Sequence, residues 1–365
     1  MHIPSLRSRR ALLGALVLAG AALAAQAEPL TIRIGVASAG GGEPVTWGGS
    51  PGGVVRANQT LEKEFAGTPD VKVEWLFFKG AGPAVNEALS NRQIDFAYQG
   101  DLPQVVGRAN GLKTKLLLTS GARNNLYVVT PKDSDIRSIK DLKDRKVSIF
   151  RGTNGHLVAI NVLAANGLAE RDLKTVNLDA GSAQAALVSH GVDAAFGGYE
   201  WFKVRDAGLA KVVYSTQGQD PAFTRQAALL VREDFEKEHP AEVQRVVDVF
   251  VKAADWASDE KNRDALFRIW AKSGTPEASC KAEFEGQSLA ERNSPLVDDF
   301  IVARYKAVAD DALKLKLIRR PISFDGWFDT RYLQAALKKQ GLENRWTPYD
   351  AKGRPKKAAS VASAR

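Results

Sequence analysis

The chain has 365 residues, a single cysteine and a formal net charge of +9. Three of the positive charges precede residue 28 and five follow residue 350, so residues 28–350 carry only +1. This near-neutral body lacks the basic face that a nucleic-acid partner requires. One cysteine also excludes an internal disulfide and argues against a thiolate-bound metal.

Residues 1–27 have the pattern of an export signal. Three arginines are followed by an apolar run from Ala11 and by the small-residue ending "AQA", which predicts cleavage before Glu28. The alternative, a membrane span, is disfavoured because Gly14 and Gly20 interrupt the run. The segment "SRRALLG" resembles a twin-arginine signal, and the cleavage site has no cysteine for lipidation. We therefore expect a soluble periplasmic protein.

The first half of the mature chain alternates strand and helix patterns. Strands are predicted at 30–36, 71–78 and 94–99, and helices at 54–65 and 84–92. This βαβαβ rhythm is typical of an α/β domain with a mostly parallel sheet between helices.

A second unit with the same plan follows. Strands are predicted at 146–150, 173–178 and 192–198, and helices at 157–166 and 183–191. The segments "EALSNRQIDFA" and "AALVSHGVDAA" share Ala-Leu, then four residues, then an apolar residue, Asp, any residue and Ala. Similar turns could arise by chance, but we favour two lobes built alike.

Two apolar strands, at 124–133 and 224–235, are long enough to cross between the lobes. From residue 240 the pattern is helical, and its first helix should pack outside the first lobe. We predict lobe 1 from residues 28–123 and 225–350, lobe 2 from 124–224, and a disordered tail at 351–365.

Two turns between a strand and a helix stand out as candidate anion sites. Ligands in open α/β sheets lie beyond the carboxyl ends of strands, and helix N-termini attract anions. An ordinary helix cap is the alternative for each turn taken alone, but their matched positions in two lobes favour a site between them. The candidate residues are Gln99, Gly100 and Asp101 in the first turn, and Thr153, Asn154, Gly155 and His156 in the second.

Aromatic and cationic side chains complete the predicted site. Trp47 lies in a glycine-rich loop after the first strand and could form a flat wall for an organic ligand, or only anchor its loop. Arginines beside the crossing strands could bind an anion bidentately, or remain solvated. The candidates are Trp47, Tyr199, Glu200, Trp201, Arg225 and Arg123.

Motifs for catalysis or cofactor binding are absent from the sequence. Neither the phosphate-loop pattern nor the nucleophile-elbow pattern occurs, and the three histidines of the mature chain lack metal-binding spacing. We therefore expect a binding protein that has no enzymatic activity, cofactor or metal.

Over about residues 30–330, the sequence resembles the periplasmic solute-binding proteins of ABC importers in the nitrate/sulfonate/taurine group, most of all the aliphatic sulfonate binders. The resemblance rests on "GAGPAVNEALSNRQIDFAYQGDLPQV", "IRSIKDLKDRKVSIFRGTNGHLVAINVLAANGL" and "VDAAFGGYEWF". It implies the type II periplasmic binding protein fold, with two α/β lobes and two crossover strands. The family's ligand turns fall on 99–101, 152–156 and 199–202.

Three departures from the family pattern concern the ligand. Gln99 replaces a hydroxyl residue, Thr-Asn-Gly replaces a serine run, and Tyr-Glu-Trp replaces an Asp-Pro-aromatic rim. With the long glycine-rich loop and Trp47, these suggest an aryl or longer alkyl sulfonate or a sulfate ester. The resemblance implies a monomer that delivers this small organic anion to a permease and an ATPase of the inner membrane.

Three alternatives remain open from the sequence. A nitrate or taurine receptor is one, and nitrate would be favoured if Trp47 pointed away from the cleft. An enzyme of the same fold, for example a pyrimidine-forming enzyme, is another. A ligand-sensing domain attached to a signalling partner is the third.

Overall fold

A computed structural model describes residues 29–356, so the predicted signal segment and residues 357–365 of the predicted tail lie outside the described residues. Residues 351–356 belong to a hydrogen-bonded turn, in which the Asp350 carboxylate accepts the N–H groups of Lys352 and Arg354. That part of the predicted tail is therefore ordered. The described helices include none that is long and apolar enough to cross a membrane.

The described strands form two five-stranded sheets. The first has the order β2-β1-β3-β10-β4 and the second β7-β6-β8-β5-β9. The strands are β1 Leu30–Val36, β2 Val71–Phe77, β3 Phe96–Gly100, β4 Thr114–Thr119, β5 Tyr127–Pro131, β6 Lys146–Ser148, β7 Lys174–Val176, β8 Ala194–Gly197, β9 Ala210–Ser215 and β10 Ala227–Arg232.

Helices cover both sheets and form the carboxyl-terminal part. They are α1 Pro51–Ala57, α2 Thr60–Phe65, α3 Ala81–Ser90, α4 Asp101–Ala109, α5 Asn154–Ala165, α6 Ala180–Val188, α7 Phe202–Asp206, α8 Glu233–Glu238, α9 Pro240–Ser258, α10 Arg263–Ala271, α11 Glu277–Glu283, α12 Leu289–Asn293, α13 Asp299–Lys314 and α14 Arg331–Gln340. The helix predicted at 54–65 is broken in two, because Gln59 adopts a left-handed conformation with φ of 52°.

The two sheets follow one plan. In each, three parallel strands are followed by an antiparallel strand, which is β10 in the first sheet and β5 in the second. These two strands belong to the predicted crossovers, which pair with one another through a backbone bridge between Asn124 and Arg225. The predicted two-lobed α/β fold with mixed, mostly parallel sheets and two crossovers is confirmed. The exact lobe boundaries stay a prediction.

The repeated Asp of the two sequence segments has the same role in both lobes. The Asp95 carboxylate accepts the N–H of Arg33 at 2.9 Å, and the Asp193 carboxylate accepts the N–H of Lys146 at 2.7 Å. Each Asp thus fixes the central parallel strand beside its own strand, so the sequence repeat reflects a structural repeat.

Apolar side chains fill both faces of each sheet. Helix α9 packs on the first lobe, as predicted, where Val243, Val247 and Phe250 join Ile32 and Ile34 in one buried cluster. The carboxyl ends of the parallel strands of the two sheets face a common space between the lobes.

Candidate functional site

A cavity of about 420 Å³ lies between the two lobes. Its walls are the segments that follow the six parallel strands, β1, β2, β3, β6, β7 and β8, together with both crossover chains near Asn124 and Arg225. The carboxyl ends of parallel strands are where open α/β sheets bind ligands, and the topology places six such ends around one space.

Ten of the thirteen site residues predicted from the sequence line this cavity, and three do not. The lining residues are Trp47, Gln99, Gly100, Thr153, Asn154, Gly155, Tyr199, Glu200, Trp201 and Arg225. Asp101, His156 and Arg123 lie outside the lining, and their own contacts explain why.

Asp101 faces its own backbone instead of the cavity. Its buried carboxylate accepts the N–H of Leu102 at 2.7 Å and that of Gln226 at 3.1 Å, and its own N–H donates to the Gln226 carbonyl at 3.1 Å. Burial raises the pKa of Asp101 to about 6. Because Pro103 has no N–H, residues 101–103 offer no donor to an anion, contrary to the prediction from the sequence.

His156 supports the turn in which it lies. Its buried ring has Nε2 3.1 Å from Glu170 Oε2, while Nδ1 accepts the N–H of Gly152 at 3.3 Å. Both ring nitrogens therefore have partners inside the second lobe, and the imidazole is not available to a ligand.

The start of helix α5 presents free backbone donors to the cavity. Thr153 is the N-cap, but its hydroxyl donates to the Phe150 carbonyl at 2.8 Å and does not cap the helix. The N–H groups of Thr153, Asn154 and Gly155 have no hydrogen-bond partner among the described residues. Free N–H groups at the positive end of a helix form an anion site.

Arg225 brings a positive charge to the same place. Its Nη2 donates to the Asn125 carbonyl at 2.6 Å, whereas its buried Nε has no partner among the described residues. Its side chain passes 3.9 Å from the position that a Cβ on Gly155 would occupy. The guanidinium and the start of α5 can therefore act on one anionic group.

Arg123, the other arginine predicted near the hinge, lies elsewhere. It pairs with Glu291 at 3.0 Å, and its guanidinium lies over the rings of Phe300 and Tyr349 at 4.2 and 4.4 Å from their centroids. It holds carboxyl-terminal segments against the first crossover and does not line the cavity.

Aromatic side chains supply the apolar walls. Trp47 donates from Nε1 to Ser50 Oγ at 2.9 Å and packs against Trp75, Phe77 and Tyr98, so it both anchors its loop and borders the cavity. Trp201 is only 1 % exposed and belongs mainly to the core of the second lobe.

The hydroxyl of Tyr199 reaches across to the first lobe. Its oxygen lies 2.7 and 3.0 Å from the positions that Cβ atoms on Gly48 and Gly49 would occupy, so glycine is required where the two lobes meet here. Burial raises the pKa of Tyr199 well above its usual value, which keeps the phenol protonated as a hydrogen-bond donor.

Sequence reasoning missed several lining residues. These are Lys79, Tyr98, Leu126, Phe150, Asp179 and Phe196, among others. Tyr98 and Phe150 lie at the ends of the predicted strands 94–99 and 146–150, within two residues of the predicted turns, so aromatic residues at these strand ends were the available signal. Lys79 and Asp179 approach each other from opposite lobes at 3.6 Å, a contact that no sequence pattern marks.

Metal binding and cysteine chemistry find little support among the described residues. Residues 29–356 contain no group of three or more His, Cys, Asp or Glu side chains placed to hold a metal ion. Cys280 is buried outside the cavity lining, and burial raises the pKa of its thiol to about 12.

Known proteins are similar to this chain in sequence and in fold. A Bacillus subtilis (strain 168) protein that carries the name aliphatic sulfonates-binding protein is 28% identical over 275 residues, which are 73% of this chain and 79% of that one. The crystal structure of the periplasmic sulfonate-binding protein SsuA from Methylobacillus flagellatus KT is 29% identical, with a TM-score of 0.74, and the match covers 88% of this chain and 98% of that chain.

The same fold also occurs in an enzyme. The desulfurization enzyme DszB is 18% identical with a TM-score of 0.62, and the match covers 85% of this chain and 99% of that chain. At this identity the likeness concerns the fold alone, whereas the sequence relative above is a binding protein. Residues 69–263 match the NMT1/THI5-like family. The chain therefore belongs to the NMT1/THI5-like family, as a relative of its solute-binding members.

Proposed function

We propose that the protein is the substrate-binding component of an ABC importer and binds an organosulfonate or a sulfate ester between its lobes. The observation that carries this proposal is the set of free N–H groups at Thr153, Asn154 and Gly155 beside Arg225 in the interlobe cavity. Donors fixed at a helix start suit an oxyanion with several acceptor oxygens. The sulfonate-binding names of the two relatives agree with this chemistry.

The organic part of the ligand should be apolar and larger than a few carbon atoms. The cavity volume of about 420 Å³ exceeds what nitrate or taurine would fill, and Trp47, Tyr98, Phe150 and Phe196 contribute to its walls. Because Trp47 borders the cavity and does not point away from it, an aryl or longer alkyl chain is favoured over nitrate.

The partners and location follow from the same role. A permease and an ATPase of the inner membrane would accept the loaded protein, which would act as a monomer in the periplasm. The relative from Methylobacillus flagellatus KT is described as periplasmic and as part of a sulfonate ABC transporter. An enzymatic role would need a nucleophile in the cavity, and the Cys280 thiol does not reach it.

Calorimetric titration of the mature protein tests the proposal. Hexanesulfonate, benzenesulfonate and hexyl sulfate should bind, and nitrate should not. Replacing Arg225→Gln should weaken sulfonate binding about tenfold or more, because a charge-assisted hydrogen bond is lost.

The matched control is Arg171→Gln, an exposed arginine of the second lobe outside the cavity lining, which should bind as the unmodified protein does. The proposal would be wrong if nitrate bound and every sulfur oxyanion failed to bind.

A further inference from the structure

Glu170 contacts the chain on both sides of residues 152–155, the α5 turn, which carries the free N–H groups. Its Oε1 accepts hydrogen bonds from Arg151 Nε and Nη2 at 2.9 and 2.7 Å, directly before the turn. Its Oε2 lies 3.1 Å from Nε2 of His156, directly after the turn. One carboxylate from a later segment of the second lobe therefore binds both ends of the α5 turn.

The hydrogen-bond partners of His156 define which ring nitrogen carries a hydrogen. Nδ1 accepts the N–H of Gly152 at 3.3 Å, so Nδ1 has no hydrogen of its own. Nε2 faces a carboxylate oxygen of Glu170, which can only accept, so the hydrogen lies on Nε2. The ring is therefore a neutral imidazole in one tautomer, and Glu170 selects that tautomer.

The contacts of His156 also leave the α5 turn without a capping box. In that motif, the side chain of the third helical residue accepts the N–H of the N-cap residue. His156 is the third residue of α5 but reaches one residue further back than the N-cap Thr153, to Gly152. The Thr153 N–H therefore stays without a partner among the described residues and can bind an anion.

The shape of the α5 turn depends on Gly152. Its φ is 76°, a left-handed value, and a Cβ at this residue would lie 2.9 Å from Pro83 Cγ of the first lobe. Glycine leaves such a conformation at little cost, so the hydrogen bond to His156 Nδ1 restrains it. The direction of the free N–H groups that follow Gly152 depends on this restraint.

We propose that Glu170 and His156 position the anion-binding N–H groups of the α5 turn through the imidazole tautomer that Glu170 selects. Neither side chain lines the cavity, so both are positioning residues that do not touch the ligand. This inference rests on the proposed function, since a sulfonate is the anion that the turn would bind. Donors that are held in place beforehand lose less conformational entropy when the ligand binds.

The variant Glu170→Gln should change the tautomer of His156 and keep the length of the side chain. Arg151 has only donors, so it should bind the amide oxygen, and the amide NH₂ group then faces His156 Nε2. Nε2 must become an acceptor, so the hydrogen moves to Nδ1 and the hydrogen bond from Gly152 is lost. NMR of the imidazole nitrogens in ligand-free protein should show the hydrogen on Nε2 in the unmodified protein and on Nδ1 in the variant.

Calorimetric titration of Glu170→Gln separates positioning from charge. Removal of a negative charge from the second lobe would by itself strengthen the binding of an anion. Loss of the restraint on Gly152 acts in the opposite direction, and we expect hexanesulfonate to bind about tenfold more weakly than to the unmodified protein. The control Asp133→Asn removes an exposed carboxylate of the same lobe, outside the cavity lining, and should not weaken binding.

Two substitutions of His156 separate positioning from loss of the ring. The amide of asparagine lies near the place of Nδ1 and can accept the Gly152 N–H, whereas the amide of glutamine lies near the place of Nε2 and reaches Glu170. We therefore expect His156→Asn to bind hexanesulfonate about tenfold more tightly than His156→Gln. The control His190→Asn, at an exposed histidine outside the lining, should bind as the unmodified protein does. Melting temperatures of the ligand-free variants establish that each is folded.

The outcomes distinguish this inference from the proposed function. An unchanged tautomer or an undiminished affinity in Glu170→Gln, or equal affinities of His156→Asn and His156→Gln, overturns the positioning role while the sulfonate receptor stands. Failure of every sulfonate to bind the unmodified protein overturns both.

Discussion

Asp101 and Gln226 connect the first lobe to the returning crossover. The carboxylate of Asp101 accepts the Gln226 N–H, and the Gln226 carbonyl accepts both the Asp101 N–H and Asn154 Nδ2 from the second lobe. The Gln226 side chain in turn accepts the Arg123 N–H at 2.9 Å. These contacts link the starts of α4 and α5 through one residue of the crossover.

The free energy of unfolding should depend on pH through the titration of Asp101. Burial raises its pKa from 3.8 to about 6, so the folded protein holds this proton more tightly than the unfolded chain. The contribution of this bound proton to the free energy of unfolding is complete below about pH 4 and is lost as pH rises through 6. Asp101→Asn has no such titration. Its destabilisation relative to the unmodified protein should therefore be larger at pH 4 than at pH 7.5, by about 3 kcal/mol at most.

Urea unfolding of both proteins at the two pH values measures this difference. A destabilisation that is the same at both pH values, or larger at pH 7.5, would contradict the assignment. Ligand-free protein is required for the measurement, because a bound ligand adds its own linkage to the unfolding free energy.

The sequence could locate Asp101 at a helix start but could not show the direction of its side chain. Its partner Gln226 is 125 residues away, and only the folded crossover brings it close. His156 was misassigned for a similar reason, since Glu170 lies on a later turn of the same lobe. A residue's position on an element follows from local patterns, whereas its partner follows from tertiary packing.

Helices α4 and α5 both begin at the cavity but differ in the backbone N–H groups that they offer to a ligand. Helix α4 has its first donors occupied or missing, through Asp101, Gln226 and Pro103, whereas α5 begins with free N–H groups. The sequence predicted both helix starts, because each follows a strand and a glycine. The donor missing at Pro103 could be predicted from the sequence. The hydrogen bonds that occupy the other N–H groups of α4 could not, because they depend on the folded crossover.

Removing one N–H from the start of α5 should weaken anion binding without unfolding the helix. Asn154 is the first helical residue, a position that tolerates proline, and Thr153 before it is already extended, with ψ of 167°. We expect Asn154→Pro to bind hexanesulfonate about tenfold more weakly than Asn154→Ala. The alanine variant accounts for the lost contacts of the Asn154 side chain with Gly100 and Gln226.

Calorimetric titration of both variants gives the ratio, and their melting temperatures should be similar. Equal affinities in Asn154→Pro and Asn154→Ala would mean that this N–H does not touch the ligand.

At the scale of the whole molecule, the repeat was the most informative part of the sequence. It predicted two lobes on one plan, and Arg92 and His190 even share the same left-handed turn, with φ of 55° and 57°. No sequence pattern indicated the buried ion pair between Glu283 and Arg292, at 2.9 Å, which contacts the first crossover through Asn125. The two residues of this ion pair belong to helices outside the repeat.

The lobes meet at a few specific contacts. Asn161 of α5 donates to Asp311 of α13 at 3.0 Å, and Lys79 approaches Asp179 at 3.6 Å. At the base of the cavity, Gly100 packs against the Asn154 side chain so closely that a Cβ at residue 100 would lie 2.6 Å from Asn154 Cγ. The contact between the lobes at this point depends on the absence of a side chain at residue 100.

A larger residue at position 100 should therefore hold the lobes apart. The backbone of Gly100, with φ of −74° and ψ of 165°, is open to any residue, so the fold of each lobe should survive Gly100→Val while the contact with Asn154 cannot form. We expect hexanesulfonate binding to weaken about tenfold, because overpacking costs about 1–3 kcal/mol. Small-angle X-ray scattering should show that the ligand compacts the unmodified protein and not the variant.

The matched control is Gly67→Val, at an exposed glycine where an added Cβ meets nothing within 4 Å, and it should bind and compact as the unmodified protein does. Full compaction of Gly100→Val with unchanged affinity would mean that ligand binding does not require the two helix starts to meet.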